Sequence, residues 1–197
     1  MPLPIVLASS SPYRKKLLEK LGMPFICHSP NTREQPLPDE TPKALATRLA
    51  SEKAWAVAKQ YPRHLIIGSD QVAIVDNTVL KKPGNEIRAV KQLSLCSGKT
   101  ATFFTGVTLL NSQTGQQQDH CEPFHATFRT LTQAQIRQYV QKEQPLDCVG
   151  SFKCEGLGVV LFEKMTGDDP NTLVGLPLIA LTSMLLQVGI HPLDVTG

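Results

Sequence analysis

Asp70 is the residue whose surroundings most clearly suggest chemistry. It follows an apolar run, bounded by Pro62 and Gly68, which predicts a buried strand that delivers a carboxylate to its end. Gly68 and Ser69 would let the backbone turn there and allow a ligand to come close. The alternative is that Ser69 and Asp70 only form a turn between two strands, since β-branched sequence resumes at Val72.

A second candidate site lies where a short apolar run, residues 3–8, enters a serine-rich turn and then a helix. Ser11 is the predicted N-cap of this helix, and Pro12 is its first residue. Free N–H groups and the positive end of the helix dipole make such a turn an anion site, with Ser9 in the turn and Arg14 inside the helix. The alternative is a capped helix that binds nothing.

Lys53 lies on a long helix that is predicted from Pro42, with Thr41 as its cap, to a point before Pro62. Apolar side chains recur along this helix at helical spacing, and Lys53 lies beside that apolar stripe. A lysine in this position either extends to solvent or points into a cleft. The polar, proline-rich loop before the helix contains Glu34.

Lys82 precedes a further helix, which is predicted through Val90 and Leu93. Residues 97–100, Ser-Gly-Lys-Thr, are similar to the end of a phosphate-binding P-loop. The first glycine of that motif would fall at Leu93, however, and a helix precedes the segment where a strand is needed. The segment is therefore interpreted as the end of a helix.

The strand-like runs at 100–110 and 117–128 predict a β-hairpin. Histidines and cysteines on and after this hairpin raise a zinc hypothesis, but none of their spacings fits a structural site. These residues are His120, Cys121, His125, Cys148 and Cys154.

Glu155 stands between glycines in a glycine-rich turn at 150–158, which follows a helix predicted at 132–143. Residues 159–162 are predicted to form another strand. Asp168 and Asp169 are interpreted as a turn, although two acids there could bind a metal. The last helix is predicted from residue 177 to residue 189.

The composition limits the function classes. A chain of 197 residues with 41% hydrophobic content can bury a core, and we predict one domain over residues 1–197. Its formal charge of +3 suits an anionic small molecule but not a nucleic-acid-binding surface. Five cysteines without C-x-x-C spacing, and a start unlike a signal peptide, predict a cytoplasmic protein with free thiols. The longest apolar tract, residues 173–190, contains Pro177 and polar side chains, which favours a buried helix over a membrane span.

Alternating strands and helices with one inserted hairpin predict an α/β fold, with a mixed central sheet and flanking helices. Ligands in such sheets bind at strand ends and helix N-termini. Carboxylates come from Glu34 and Asp70, and cations come from Arg14, Lys53 and Lys82. This mixture suits a metal-bound polyphosphate, since carboxylates hold a hard divalent ion and cations neutralise phosphate oxygens.

Five motifs in this order resemble the Maf family of nucleoside triphosphate pyrophosphatases, and the likeness runs nearly end to end. They are Leu7-Ala8-Ser9-Ser10-Ser11-Pro12-Tyr13-Arg14, Ser51-Glu52-Lys53-Ala54, Gly68-Ser69-Asp70-Gln71, Lys82-Pro83 and Gly175-Leu176-Pro177-Leu178. The resemblance implies hydrolysis of a nucleoside triphosphate to the monophosphate and pyrophosphate, with a divalent cation such as Mg²⁺ or Mn²⁺, in the cytoplasm. It also implies an elongated, two-lobed fold similar to ITPases, with the active-site cleft between the lobes, and commonly a homodimer.

The same resemblance implies roles for individual residues. Asp70 matches the proton acceptor that activates water for attack at the α-phosphate, and it would hold the metal together with Glu34. Arg33 departs from the family, which often has an acid at that position. The residues implied to cradle the triphosphate are Ser9, Arg14, Lys53 and Lys82.

Tyr13, Gln71 and Glu155 resemble the branch of the family that acts on 7-methyl-GTP rather than the branch that takes dTTP and UTP. A carboxylate at residue 155 can accept hydrogen bonds from both N1–H and the exocyclic amine of guanine, which is worth ~1–3 kcal/mol. Stacking of a cationic, N7-methylated base on Tyr13 would add about 0.5–2 kcal/mol. The alternatives are a pyrophosphatase for ITP, XTP, dTTP or UTP, and a non-catalytic nucleotide-binding regulator of cell division.

Overall fold

The structure is a computed structural model that describes residues 3–194. Across this range, strands and helices alternate along most of the chain. The strands are β1 Ile5–Ala8, β2 Phe25–Cys27, β3 Leu65–Val75, β4 Thr78–Leu80, β5 Thr100–Asn111, β6 Gln117–Phe128 and β7 Phe162–Thr166. The α-helices are α1 Pro12–Glu19, α2 Pro42–Ala58, α3 Glu86–Cys96, α4 Gln133–Glu143, α5 Asn171–Val174 and α6 Leu178–Gln187, and short 3-10 helices cover Val149–Ser151, Leu157–Leu161 and Pro192–Asp194.

The strands form one mixed sheet in the order β2-β1-β3-β5-β6-β7, with β4 paired to β3 outside this path. Strand β1 runs parallel to both of its neighbours, β2 and β3. Strand β4 is antiparallel to β3, and β7 is antiparallel to β6. The prediction of an α/β fold with a mixed sheet and flanking helices is therefore confirmed.

The described part of the chain divides into two compact units. The first contains residues 3–71, Thr105–Glu122 and residues 169–194, and the second contains Val72–Phe104 and Pro123–Asp168. Strands β3, β5 and β6 each contain residues of both units.

The first unit has a hydrophobic core on each face of its strands. On one face, alternate residues of β1, β3 and β5 pack with α1 and α6, and Leu7, Ile67 and Leu181 are fully buried there. On the other face, Val6 and Ile66 pack against α2. Because both faces are covered, β1 and the start of β3 are continuous apolar runs without polar alternation.

Strand β3 does not end at Asp70, so two sequence interpretations are wrong. Neither a strand end nor a turn occurs at Ser69 and Asp70, because β3 continues without interruption to Val75. Gly68 is required by packing instead: a Cβ atom there would overlap the backbone oxygen of Ala50 on α2. Asp70 is therefore a buried carboxylate within a strand.

In the second unit, four phenylalanines form the aromatic part of the core, with edge-to-face ring pairs whose centroids lie 4.7–5.8 Å apart. They are Phe103, Phe128, Phe152 and Phe162. The prediction of a strand at 159–162 is wrong, because Leu157–Leu161 is a 3-10 helix and β7 begins only at Phe162. Val159 is 57% exposed, so this apolar run is not a buried strand.

The helix predictions agree with the structure more closely than the strand predictions do. Ser11 and Thr41 cap α1 and α2 with their side-chain oxygens, and proline follows each cap. Helices α3 and α4 lie where they were predicted, whereas the short helix α5 was not predicted. Among residues 3–194, every helix is too short or too polar to cross a lipid bilayer.

Candidate active site

The centre of the candidate site is the ammonium group of Lys53, which lies between two carboxylates. Its Nζ atom is 2.5 Å from Asp70 Oδ1 and 2.6 Å from Glu34 Oε1. The side chains of Lys53 and Asp70 are only 8% and 11% exposed, whereas that of Glu34 is 58% exposed. Of the two sequence alternatives for Lys53, the structure therefore supports the inward one.

This contact follows from how α2 packs on the sheet. Gly68 and Asp70 are two residues apart on β3, so their side-chain directions point to the same face, which is the face that α2 covers. Without a Cβ atom at Gly68 the helix approaches closely, and Lys53 lies about one helical turn after Ala50. A second glycine, Gly106 on β5, makes similar room for the backbone of Ala46.

Arg14 supplies a second cation at the first turn of α1. Its backbone N–H donates to the capping hydroxyl of Ser11 at 3.4 Å, and its Nε donates to the carbonyl oxygen of Gly175 at 2.8 Å. Burial lowers the pKa of the Arg14 guanidinium, while the negative charges of Asp70 and Glu34 oppose this shift. An arginine keeps its proton in proteins, so the group remains a cation.

Ser9 and Tyr13 lie on either side of the Ser11 cap, at the junction of β1 and α1. Ser9 is buried, and its Oγ accepts a hydrogen bond from the backbone N–H of Ser11 at 3.1 Å. Tyr13 is partly buried on the first turn of α1. The sequence prediction of a serine-rich turn that leads into a capped helix is confirmed, whereas its binding of an anion stays a prediction.

Gln71 follows Asp70 on β3 and is held by the polypeptide itself. Its Nε2 donates to the hydroxyl of Thr105 at 3.0 Å, to the carbonyl of Thr172 at 2.9 Å and to that of Leu173 at 3.3 Å. The two hydrogens of this amide are thus engaged by three acceptors.

Lys82 and Glu155 belong to the second unit, and both are exposed. Lys82 lies between β4 and α3, and Glu155 lies in the turn before the 3-10 helix Leu157–Leu161. The thiol of Cys154 donates to Glu155 Oε2 at 3.4 Å. Burial and the neighbouring Glu155 carboxylate raise the pKa of this thiol to about 12. The participation of Lys82 and Glu155 in one site with Asp70 stays a prediction.

The two carboxylates predicted to hold a metal fit a divalent cation in one respect. Asp70 and Glu34 both place an oxygen against the single positive centre of Lys53, so they converge on one point. Within residues 3–194 no group of three or more His, Cys, Asp or Glu side chains is placed to hold a metal. Two carboxylates with phosphate oxygens and water are nonetheless a usual environment for Mg²⁺.

Asp169 was interpreted as a turn acid that could bind a metal, but its oxygens are occupied by N–H groups. Oδ1 accepts from the backbone and side-chain amides of Asn171 at 2.8 and 2.7 Å, and Oδ2 accepts from the backbone of Ile179 at 2.8 Å. The side chain is buried, and it binds backbone N–H groups in the first turns of both α5 and α6. Its role in the structure is therefore to hold these two helices.

Sequence reasoning did not identify Ser69 and the carbonyl of Gly175 as parts of the site. Ser69 is fully buried, and its hydroxyl donates to Gly175 O at 2.9 Å, the same oxygen that accepts from Arg14. Gly175 has a φ of +116°, which favours glycine at this position. The motif Gly175-Leu176-Pro177-Leu178 was the available signal, because it resembles a family motif without an obvious chemical group.

The sheet order and the flanking helices define the fold class to which the protein belongs. A solved structure, that of the Staphylococcus aureus Ham1 protein, is similar to it with a TM-score of 0.52, covering 95% of this chain and 100% of that one. The two sequences are 13% identical, so this likeness concerns the fold alone.

The family follows from the sequence comparison. A family profile described as Maf-like protein matches residues 4–188, and the chain therefore belongs to the Maf family. Among curated proteins, the 7-methyl-GTP pyrophosphatase of Alcanivorax borkumensis is 58% identical over 187 residues, which are 95% of each chain.

Proposed function

We propose that this protein hydrolyses 7-methyl-GTP to 7-methyl-GMP and pyrophosphate and so clears a modified nucleotide. The observation that carries the proposal is the 58% identity to a 7-methyl-GTP pyrophosphatase over 95% of both chains. The group formed by Arg14 with the buried Lys53 and Asp70, and with Glu34 beside them, has the charges that a reaction at a triphosphate requires.

Asp70 is the group that we assign as the proton acceptor. Its carboxylate is rigidly held, because the strand fixes its backbone and Lys53 binds its Oδ1 atom. As water attacks the α-phosphorus, a carboxylate in this position takes the proton and makes the oxygen nucleophilic. Positioned general bases of this kind typically contribute about 10²–10⁴-fold to the rate.

The remaining polar groups bind the triphosphate. The Nε of Arg14 donates to the carbonyl oxygen of Gly175. The two terminal nitrogens of the guanidinium are therefore the atoms that would donate hydrogen bonds to phosphate oxygens. Lys53 brings a point charge next to the reacting carboxylate. Ser9 and Lys82 complete the set that we assign to the phosphates.

We also propose a divalent cation, Mg²⁺ or Mn²⁺, held by Asp70 and Glu34. When bound, such an ion neutralises phosphate oxygens and polarises the phosphorus toward attack. Lys53 keeps the two carboxylates close together, which limits their mutual repulsion before the ion arrives.

Glu155 and Tyr13 are the residues that we assign to the base. The carboxylate of Glu155 accepts from N1–H and from the exocyclic amine of guanine, whereas thymine and uracil offer one N–H and adjacent carbonyl oxygens. The aromatic face of Tyr13 favours a base that carries the positive charge of N7 methylation. From the family resemblance we further propose a cytoplasmic homodimer that acts on nucleotides, not on nucleic acid or membranes.

The experiment that tests this function is pyrophosphate release across 7-methyl-GTP, GTP, dTTP, UTP, ITP and XTP, with Mg²⁺, with Mn²⁺ and with chelator. The expected result is a clear preference for 7-methyl-GTP, with pyrophosphate release abolished by the chelator. A preference for dTTP or UTP would leave the reaction in place and refute the assignment of the base-binding residues. The absence of release from every nucleotide at high enzyme concentration would refute the enzymatic function.

A further inference from the structure

Three short contacts join β3 to one segment of the first unit, residues 169–179, which contains α5 and the start of α6. We call this the 169–179 segment. The hydroxyl of Ser69 donates to the carbonyl of Gly175 at 2.9 Å. The amide of Gln71 donates to the carbonyls of Thr172 and Leu173 at 2.9 and 3.3 Å. Both neighbours of Asp70 therefore bind backbone oxygens of this segment.

The alternation of a β-strand explains why these neighbours bind one element while Asp70 binds another. Side chains of Ser69 and Gln71 point to one face of β3, and that of Asp70 points to the opposite face, where Lys53 lies. The backbone of Asp70 is consequently fixed from behind by two side chains that contact the 169–179 segment.

The segment also orients Arg14. The carbonyl of Gly175 accepts from Ser69 Oγ and from Arg14 Nε at 2.9 and 2.8 Å, so one oxygen ties the strand of the proton acceptor to the guanidinium. The start of α5 is held as well, because Asp169 accepts from the backbone N–H of Asn171 and the hydroxyl of Thr105 donates to Thr172 O at 3.0 Å. A rigid carbonyl of this kind fixes the plane of the guanidinium.

We propose that Ser69 and Gln71 are positioning residues for the reaction, which hold the 169–179 segment so that Gly175 orients Arg14 beside Asp70. Gln71 then acts on catalysis through this segment and without contacting the base. This inference rests on the proposed pyrophosphatase function, and it replaces the base-reading role that the family resemblance implies for Gln71.

The two roles predict different results across substrates. Arg14 and Asp70 act on the triphosphate, which every nucleoside triphosphate shares. A positioning role therefore lowers kcat/KM by the same factor for all bases, whereas a base-reading role changes the ratio between bases.

The experiment measures kcat/KM for 7-methyl-GTP, GTP and UTP with Gln71→Met and Ser69→Ala. We expect each variant to lose tenfold or more on every substrate, with the ratios between substrates kept within threefold. Matched controls are Gln133→Met and Ser183→Ala, which remove exposed side chains of the same types on α4 and α6 and should keep wild-type rates. A Gln71→Met variant that changes the ratio of 7-methyl-GTP to UTP by tenfold or more, or that keeps wild-type rates, would overturn the proposal.

A double-mutant cycle with Arg14→Ala separates positioning from general loss of stability. If Ser69 and Gln71 act through Arg14, then Ser69→Ala and Gln71→Met cost less than threefold when Arg14 is already alanine. If the loss of kcat/KM in each double variant equals the product of the losses in the two single variants, the effects are independent and the proposal is overturned. Ser69→Ala is the milder of the two changes, so the cycle can be completed with it if Gln71→Met does not fold.

Amide hydrogen exchange without nucleotide tests the same inference independently of activity. Exchange in residues 171–176 should accelerate in Gln71→Met and Ser69→Ala, while exchange in α4 should stay at the wild-type rate. Unchanged exchange in residues 171–176 would overturn the positioning role even if the enzyme is active. Accelerated exchange in a protein that hydrolyses none of the nucleotides would instead refute the proposed function and leave the contact network in place.

Discussion

The ammonium group of Lys53 lies 2.5 Å from a carboxylate oxygen of Asp70, and both side chains are buried. Removing two charges from water is costly, so such a pair requires further compensation. Glu34 and Arg14 supply it, because Glu34 pairs with Lys53 and the charge of Arg14 attracts Asp70, and the group of four stays formally neutral. An incoming triphosphate adds negative charge to this balanced group, which is why we expect a metal ion and Lys82 to accompany it.

Asp70→Asn should abolish turnover while substrate binding is largely kept. The amide has nearly the shape of the carboxylate, but it cannot take a proton from water. We expect kcat to fall about 10²–10⁴-fold, with the Kd for a non-hydrolysable triphosphate analogue changed less than tenfold. The control is Asp76→Asn in the turn between β3 and β4, where a φ of +52° tolerates asparagine. Near-normal turnover in Asp70→Asn would refute the assignment of Asp70 as the proton acceptor.

Lys53→Met should lower kcat/KM by about 10²–10³-fold, as removal of one charged donor at a reacting phosphate typically does. The variant leaves Asp70 and Glu34 without their shared cation, so we also expect a weaker apparent affinity for the nucleotide. Lys59→Met removes an exposed lysine at the end of the same helix and should keep wild-type kinetics. Equal kinetics in both variants would exclude Lys53 from the site.

Glu155→Gln should reduce the preference for 7-methyl-GTP over UTP. A neutral amide loses the charge that attracts a cationic base, and it cannot accept from two guanine donors with one oxygen. A loss of about 1–3 kcal/mol corresponds to a ratio that falls roughly 5–150-fold, which competition between the two nucleotides would measure. Glu163→Gln, an exposed change on β7, is the control. A ratio that does not change would remove Glu155 from base recognition.

The sequence predicts those parts of the fold that are determined locally. Ser11-Pro12 and Thr41-Pro42 define helix starts by the chemistry of their own side chains, and both appear in the structure as predicted. Residues 159–161 have strand composition but belong to a 3-10 helix, in which Val159 and Val160 are exposed. The backbone N–H of Gly158, in the same helix, donates to Lys153 O. That outcome depends on contacts that composition does not encode.

The candidate site divides in the same way. Asp70, Lys53 and Arg14 are charged groups that chemistry requires, and motif order was enough to select them. Ser69 and Gly175 are not chemically distinctive, and their importance arises only when the strand and the 169–179 segment come together. The need for Gly68 is likewise tertiary: the sequence suggests a turn or a ligand, whereas the structure has the backbone of α2 against it.

Gly68→Ala should destabilise the protein and reduce its activity together. The added Cβ would overlap the backbone oxygen of Ala50, so α2 must shift, at a cost of about 1–3 kcal/mol in the free energy of unfolding. The shift also moves Lys53 away from Asp70. Gly189→Ala has open space around its Cβ but a φ of +76°, so it should cost about 1–2 kcal/mol and keep full activity. Full activity in Gly68→Ala would contradict this account.

Glu40→Gln should destabilise the protein near neutral pH but have little effect at low pH. Hydrogen bonds from Arg48, at 2.7 and 2.8 Å, and from the backbone of Leu37 lower the pKa of Glu40 to about 2. Because the pKa is lower in the folded chain than the ordinary value near 4.3, this stabilisation is complete above that value. It is lost as the pH falls toward 2.

Urea unfolding of wild type and Glu40→Gln between pH 6 and pH 2 measures this effect. The difference in the free energy of unfolding should close steadily below about pH 4.3. Arg48→Gln removes the other partner and should give the same pH dependence.

Arg48 also donates to the carbonyl of Gln35, next to Glu34, so both variants should raise the metal concentration needed for half-maximal activity. A difference that stays constant from pH 6 to pH 2 would show that this ion pair does not stabilise the loop before α2.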